Sequence, residues 1–244
     1  MLTLIRQELY KQLHGKFYIG WGIFILALSL FYGYSASSDS LDPISTIFST
    51  GITFATLALV VFASSILTVD FSQNTVKYLF ARQFSRGKIL ISKLVTIAVM
   101  YIYFICVIFV STEISALAFS VKGHWHFNDA FLLIGATSLY LFLLLSMVLL
   151  ISNIFKNSAV ATAVGIVFVL VLRTINALLS QFTGNHSWIK FNPLNFLNVN
   201  NQVYYGSIFK QATKLSLTQI EVGSIIWGII FLLITYVIYN HRNV

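Results

Sequence analysis

Six apolar runs, each long enough to cross a bilayer, constrain this chain more than any other feature of it. They occupy about residues 17–35, 44–69, 94–121, 130–155, 158–182 and 222–239. A helix crossing the roughly 30 Å hydrocarbon layer needs about 20 mostly apolar residues. Backbone polar groups in lipid must be satisfied within the segment, so helices are the expected form. Transmembrane β-strands run about ten residues and alternate apolar with polar, and neither 97–110 nor 139–151 alternates. Composition agrees: of 244 residues, 58% are hydrophobic and 9% charged, against about a quarter charged in a soluble domain. That is too little charge to cover a soluble globule. It excludes a soluble enzyme, a disordered chain and a nucleic-acid-binding domain of the usual sort. The fold class expected is an all-α integral membrane protein, one transmembrane domain over residues 1–244 with six transmembrane helices.

Charge placement sets the orientation. The N-terminal tail, the loop 70–93, the link 155–158 and the C-terminal tail carry ten basic residues: Arg6, Lys11, Lys16, Lys77, Arg82, Arg86, Lys88, Lys93, Lys156 and Arg242. The opposite side carries four: Lys122, Lys190, Lys210 and Lys214. Loops kept in the cytoplasm retain Lys and Arg, so both termini are expected there, in a multi-pass protein of a bacterial cytoplasmic membrane. The net charge of +8 thus reports topology, not nucleic acid. The first run has a basic start and small residues at Ser35, Ala36 and Ser37, but it is too long for a signal-peptide core and reads as an uncleaved span. Cys106 is the sole cysteine, so no intramolecular disulfide forms.

Three segments are not spans. In residues 1–16, Leu2, Ile5, Leu9 and Leu13 fall on one helical face, with Arg6, Glu8, Lys11 and Gln12 around the rest. A basic amphipathic helix just before a span is expected in the interface plane, as an anchor or also against a cytoplasmic partner. In the loop 70–93, Asn74 or Thr75 can cap a short helix whose apolar face is Val76, Leu79 and Phe80, with Lys77 and Arg82 off it. Ser85-Arg86-Gly87-Lys88 reads as a break before the third span. A connection needs only a few residues and this one has about 24, so it either lies on anionic lipid or docks a partner. The stretch 183–221 mixes aromatic and aliphatic residues with asparagines. It is too apolar for a solvated loop and too polar to span, which suits short re-entrant helices or a lid over a cavity.

Ionisable groups inside the runs are few. Glu113 and Arg173 fall at similar depth in the outer third of the third and fifth spans, and form either an ion pair beneath the external segment or two side chains reaching separately to the surface. His124, His126 and His186 have no thiol and no carboxylate but the nearby Asp129 beside them, too little for a good metal site, and no catalytic set is readable. Tyr101, Tyr103, Tyr140 and Phe142 either line an apolar pathway or face lipid. A phosphate-cradling loop needs GxxxxGK[ST]. Gly15-Lys16 and Gly87-Lys88 lack both the following hydroxyl and the earlier glycine, so the chain is expected to be no enzyme and to hold no cofactor of its own. An ion-coupled carrier, the alternative to an ATP-driven transporter together with a membrane assembly factor, places ionisable groups near midplane and often shows internal repeats; neither is visible.

The layout resembles a known family. A basic amphipathic helix precedes the first of six spans, and the stretch after the second reads Asp70-Phe71-x-x-x-Thr75-x-Lys77-x-Leu79, then Ser85-Arg86-x-x-Ile89-Leu90-x-Ser92-Lys93. A Pro-containing segment, Asn192-Pro193-Leu194-Asn195-Phe196, lies between spans five and six. This resembles the permease subunit of ABC-2 type transporters, the six-span group associated with export of, or immunity to, antimicrobial and toxin peptides. Asp70 departs from the Glu of many members, and Phe84 stands near where many have Pro. The resemblance implies a dimer of permease subunits, identical or paired, moving an amphipathic or hydrophobic substrate. It implies a separate ATP-binding subunit, holding ATP and Mg, docked on the N-terminal helix and on the segment carrying Asp70, Thr75, Lys77, Leu79, Phe80, Arg82, Ser85, Arg86 and Lys88. It also implies an external cap containing Asn192, Pro193, Asn195 and Phe196.

Overall fold

The computed structural model describes residues 1–36, 43–73, 85–121, 127–182 and 188–241. Among them every regular element is helical: α1 (Leu2–Gly15), α2 (Phe17–Ala36), α3 (Pro43–Ile66), α4 (Val69–Ser72), α5 (Arg86–Phe119), α6 (Phe127–Ser152), α7 (Ser158–Phe182), a 3₁₀ turn (Ile189–Phe191), α8 (Pro193–Phe196), α9 (Val199–Tyr204), α10 (Gly206–Thr213) and α11 (Leu217–His241). Among the described residues α2, α3, α5, α6, α7 and α11 are the six helices long and apolar enough to cross a membrane. The all-α, six-span reading therefore stands.

The edges differ from the apolar runs in physically informative ways. The third span begins not at 94 but at Arg86, because Ser85 caps it. Ser85 is extended (φ −65°, ψ 144°) and its hydroxyl accepts the Lys88 N–H at 3.4 Å, satisfying a donor that the first helical turn leaves free. Ser85-Arg86-Gly87-Lys88 is thus a helix start, and the basic residues are its first turn. The resulting helix has 34 residues, about 50 Å at 1.5 Å per residue, well beyond the hydrocarbon thickness. The second run divides: α3 stops at Ile66, a turn follows, and α4 carries the chain on.

The chain forms two compact units, Met1–Phe62 with Phe80–Phe127, and Ala63–Leu79 with Asn128–Val244. In the first, α2 lies along α5. Tyr18, Gly22, Ile25, Ser29 and Gly33 recur every three to four residues on one face of α2. Opposite them, Tyr103 donates its hydroxyl to the Tyr18 carbonyl at 3.1 Å, Ser111 and Ser29 share a hydroxyl contact at 3.1 Å, and Ser115 donates to the Ser29 carbonyl at 2.7 Å. Two glycines admit these side chains: a Cβ on Gly22 would lie 2.8 Å from the Tyr103 hydroxyl, and one on Gly33 would overlap Ser115 Oγ. Lipid is as apolar as leucine, so membrane helices associate through close packing and hydroxyl contacts of this kind. The N-terminal part of α3 joins through Phe48 on Phe109, ring centroids 4.9 Å apart, and through Gly51 beneath Ile108. Ile44, Ile47 and Val121 form an apolar cluster at the far end of α5.

The second unit uses the same devices. Gly165 of α7 lies against Ser64, Gly228 of α11 admits the ring of Phe142, and the buried Asn153 at the end of α6 donates to the Thr235 carbonyl at 3.1 Å. Gly33→Leu is expected to destabilise the protein by about 1–3 kcal/mol through overpacking. Gly135→Leu, at a position with open space around it, is expected to stay within about 0.5 kcal/mol. Unfolding in detergent, followed by circular dichroism, measures both.

Candidate functional site

The N-terminal helix docks through a face that its leucine pattern does not announce. Leu2 and Leu13 of the expected apolar stripe are 84% and 56% exposed, whereas Leu4 and Glu8 are 1% and 3% exposed. Positions i and i+4 share a helix face, so the buried side of α1 carries a carboxylate. That carboxylate meets Lys11 at 3.2 Å on its own helix and Lys93 at 3.5 Å on α5. Lys93 is itself 1% exposed. A buried charge is tolerated when it is paired, and this pair joins α1 to the base of α5, two turns after its Ser85 cap. Reading the sequence missed it. The signal available was that Glu8 is the one acid in the first 38 residues, set among basic neighbours.

Three described members of the expected docking set, Ser85, Arg86 and Lys88, lie at this base. Ser85 is an exposed cap, Arg86 is half-buried and Lys88 is exposed on the first turn of α5. Asp70, on α4, is buried, at 2% exposed. Thr75, Lys77, Leu79, Phe80 and Arg82 lie outside the described residues, as do His124, His126 and His186.

The segment between α7 and α11 is a small folded cap. Asn192 starts α8 by accepting the Leu194 N–H at 3.0 Å, with Pro193 in the first turn where no N–H is needed. Buried Asn195 donates to the Lys190 carbonyl at 2.9 Å and the Thr213 carbonyl at 3.0 Å. Gln202 donates to the Leu215 carbonyl at 2.9 Å and accepts the Thr213 hydroxyl at 2.8 Å. The cap is tied to the spans of its unit by the amide pair Asn176–Asn198, at 3.0 Å, and by Ser224 of α11, which donates to the Phe196 carbonyl at 3.2 Å. Phe196 fills the space above Gly223, where a Cβ would overlap its ring. The asparagines are therefore internal stitches of the cap. Asn192, Pro193, Asn195 and Phe196 stand together, and Gln202, Thr213 and Gly223 complete the set that sequence reasoning left out.

Glu113 and Arg173 belong to different compact units, and each is exposed on its own helix. With α5 starting at Arg86, Glu113 stands 27 residues along it, about 40 Å from its start and in its last two turns. Beside the cap, partial burial and the Asp129 and Tyr205 side chains push the Tyr204 phenol up to about 12.

Comparison with known proteins gives a family and one relative. Residues 23–244 match the family described as "Protein of unknown function (DUF2705)". Over 137 residues, 54% of this chain, it is 27% identical to the "Uncharacterized membrane protein YdbK" of Bacillus subtilis (strain 168). The matched region spans 55% of that relative's length.

Two outcomes follow from the geometry. Glu8→Leu and Lys93→Met, made singly, each break the buried pair and are expected to lose on the order of 3 kcal/mol; the double variant Glu8→Leu with Lys93→Met is expected to recover most of it, because neither charge of the pair is then left buried alone. Thermal unfolding of the four proteins gives the coupling. Spectrophotometric titration is expected to show the Tyr204 phenolate only near pH 12. Asp129→Asn removes a repelling negative charge and moves that titration toward the ordinary value of about 10.

Proposed function

We propose that this chain, which belongs to the DUF2705 family, is the transmembrane permease subunit of an ATP-driven exporter. It would carry an amphipathic or hydrophobic substrate (a peptide, toxin or antibiotic) out across the membrane. It works beside a second permease subunit, with ATP and Mg held by a separate ATP-binding subunit. Six helices long and apolar enough to cross a membrane support an integral membrane protein, and the export function is our reading of the site.

The observation that carries it is the buried Glu8–Lys93 pair. A buried ion pair contributes little net stability, and its best-attested use is to fix one arrangement against others. Here it makes α1 and the base of α5 a single body. The polar stretch 74–84 feeds directly into that base through the Ser85 cap, so a push on the stretch reaches a helix running the full depth of the membrane. A closing ATPase dimer that engages this stretch would tilt α5 with α1, a rigid-body switch of the kind used in alternating access. The lack of a phosphate-cradling motif in the chain supports a motor on another polypeptide.

The test is co-purification from membranes with a candidate ATP-binding-cassette partner, together with ATPase assays of the reconstituted complex. Leu79→Asp combined with Arg86→Glu is expected to abolish the complex and the substrate-stimulated ATPase while the permease still inserts and purifies. A double variant that keeps both would refute the assignment of this docking surface.

A further inference from the structure

The elbow between α1 and α2 carries features that the proposed transport role does not use. The chain turns there on Lys16, whose φ of 57° puts it in the left-handed region. That conformation suits glycine and is unfavourable for a side chain bearing a Cβ. A glycine stands one position earlier, yet the residue at the strained position is a lysine. Its ammonium is exposed, and among the described residues no carboxylate pairs with it; the nearby Glu8 is turned to Lys11 and Lys93. Arg6, Lys11 and His14 add only positive or neutral groups to the same helix.

Lys16 lines a groove of about 490 Å³ together with Gly15, Phe17, Gly20, Trp21 and Phe24. That volume is within the range of about 300–1,000 Å³ common to small-molecule sites. The aromatic wall is continuous: Phe17 lies 6.1 Å from Trp21, and Trp21 meets Phe24 edge-on at 5.6 Å. It is braced from behind by α3, through Phe62 on Phe17 and Phe54 on Phe24. Gly15 and Gly20 have nothing within 4 Å of a would-be Cβ, so the floor is bare backbone. Ile19 and Ile23 on α2, and Phe31 farther along the same span, are exposed, so apolar helix surface continues from the groove.

We infer that this elbow is a binding site for one anionic phospholipid, with the phosphate on the Lys16 ammonium and an acyl chain along Phe17, Trp21 and Phe24. The charge requires an anion, the aromatic wall requires an apolar chain, and the continuity with the exposed face of a span selects a membrane lipid over a soluble anion. The strained lysine is then kept for its charge at the point where a headgroup lies. The inference stands apart from the identity of any motor.

The protein is reconstituted in phosphatidylcholine vesicles containing a minor fraction of phosphatidylglycerol, with bromine on the acyl chains of one lipid or the other. Trp21 quenching is taken as the difference from Trp21→Phe. Bromine on phosphatidylglycerol is expected to quench Trp21 about fivefold more per molecule than bromine on phosphatidylcholine, the selectivity of a single interfacial cation. Lys16→Gly is expected to erase that excess while the unfolding temperature stays level or rises, since glycine relieves the backbone. Gly20→Leu fills the open floor and is expected to erase the excess with the fold unchanged. Equal quenching by the two lipids in the unmodified protein, or an excess that survives either substitution, overturns the site.

Discussion

Inside a bilayer one apolar helix gains little by lying against another, because the lipid it displaces is equally apolar. What holds this protein together is therefore the set of places where backbones come close enough for hydroxyls, amides and opposite charges to meet. Gly22, Gly33 and Gly51 in the first unit, and Gly165, Gly223 and Gly228 in the second, each make room for a particular neighbour. Ser29, Ser111, Ser115 and Asn153 then bond across the gap. The Glu8–Lys93 pair is the extreme case, a contact between two opposite charges that are both almost fully buried.

The gross architecture could be read directly from the sequence. Six runs of apolar residues without alternation leave helices as the only economical solution, and α7 spans the residues its run marks. Legibility fails where the determinants are local. A hydropathy run ends at the last apolar residue, whereas a helix ends at its cap, so Ser85 moved the start of α5 outward through Arg86, Lys88 and Lys93. It also fails where a polar residue is internal. The leucine pattern of α1 pointed away from Glu8, and nothing in spacing tells a solvated acid from one paired with a lysine 85 positions later. Asp70 shows the converse, a carboxylate that sequence put on the surface and the fold put inside. The cap was foreseen as short helices or a lid, but the role of Asn195 emerged only from its bonds to the Lys190 and Thr213 carbonyls.

These elements suggest a division of labour along the chain. The first unit couples a surface helix to a membrane-deep one. The second carries a cap whose described residues bond to one another and to α6, α7 and α11 of the same unit.

The length of α5 has a mechanical corollary. Kinks arise at proline, at Gly/Ser pairs, or where the hydrogen-bond ladder is interrupted, and α5 has no proline, with its single glycine in the first turn. It behaves as a stiff rod anchored by Glu8 near one end and by Ile44 and Ile47, through Val121, at the other. Any tilt imposed at the charged end must reappear at the apolar end in the opposite sense, so the two faces of the membrane are in mechanical register along one uninterrupted helix.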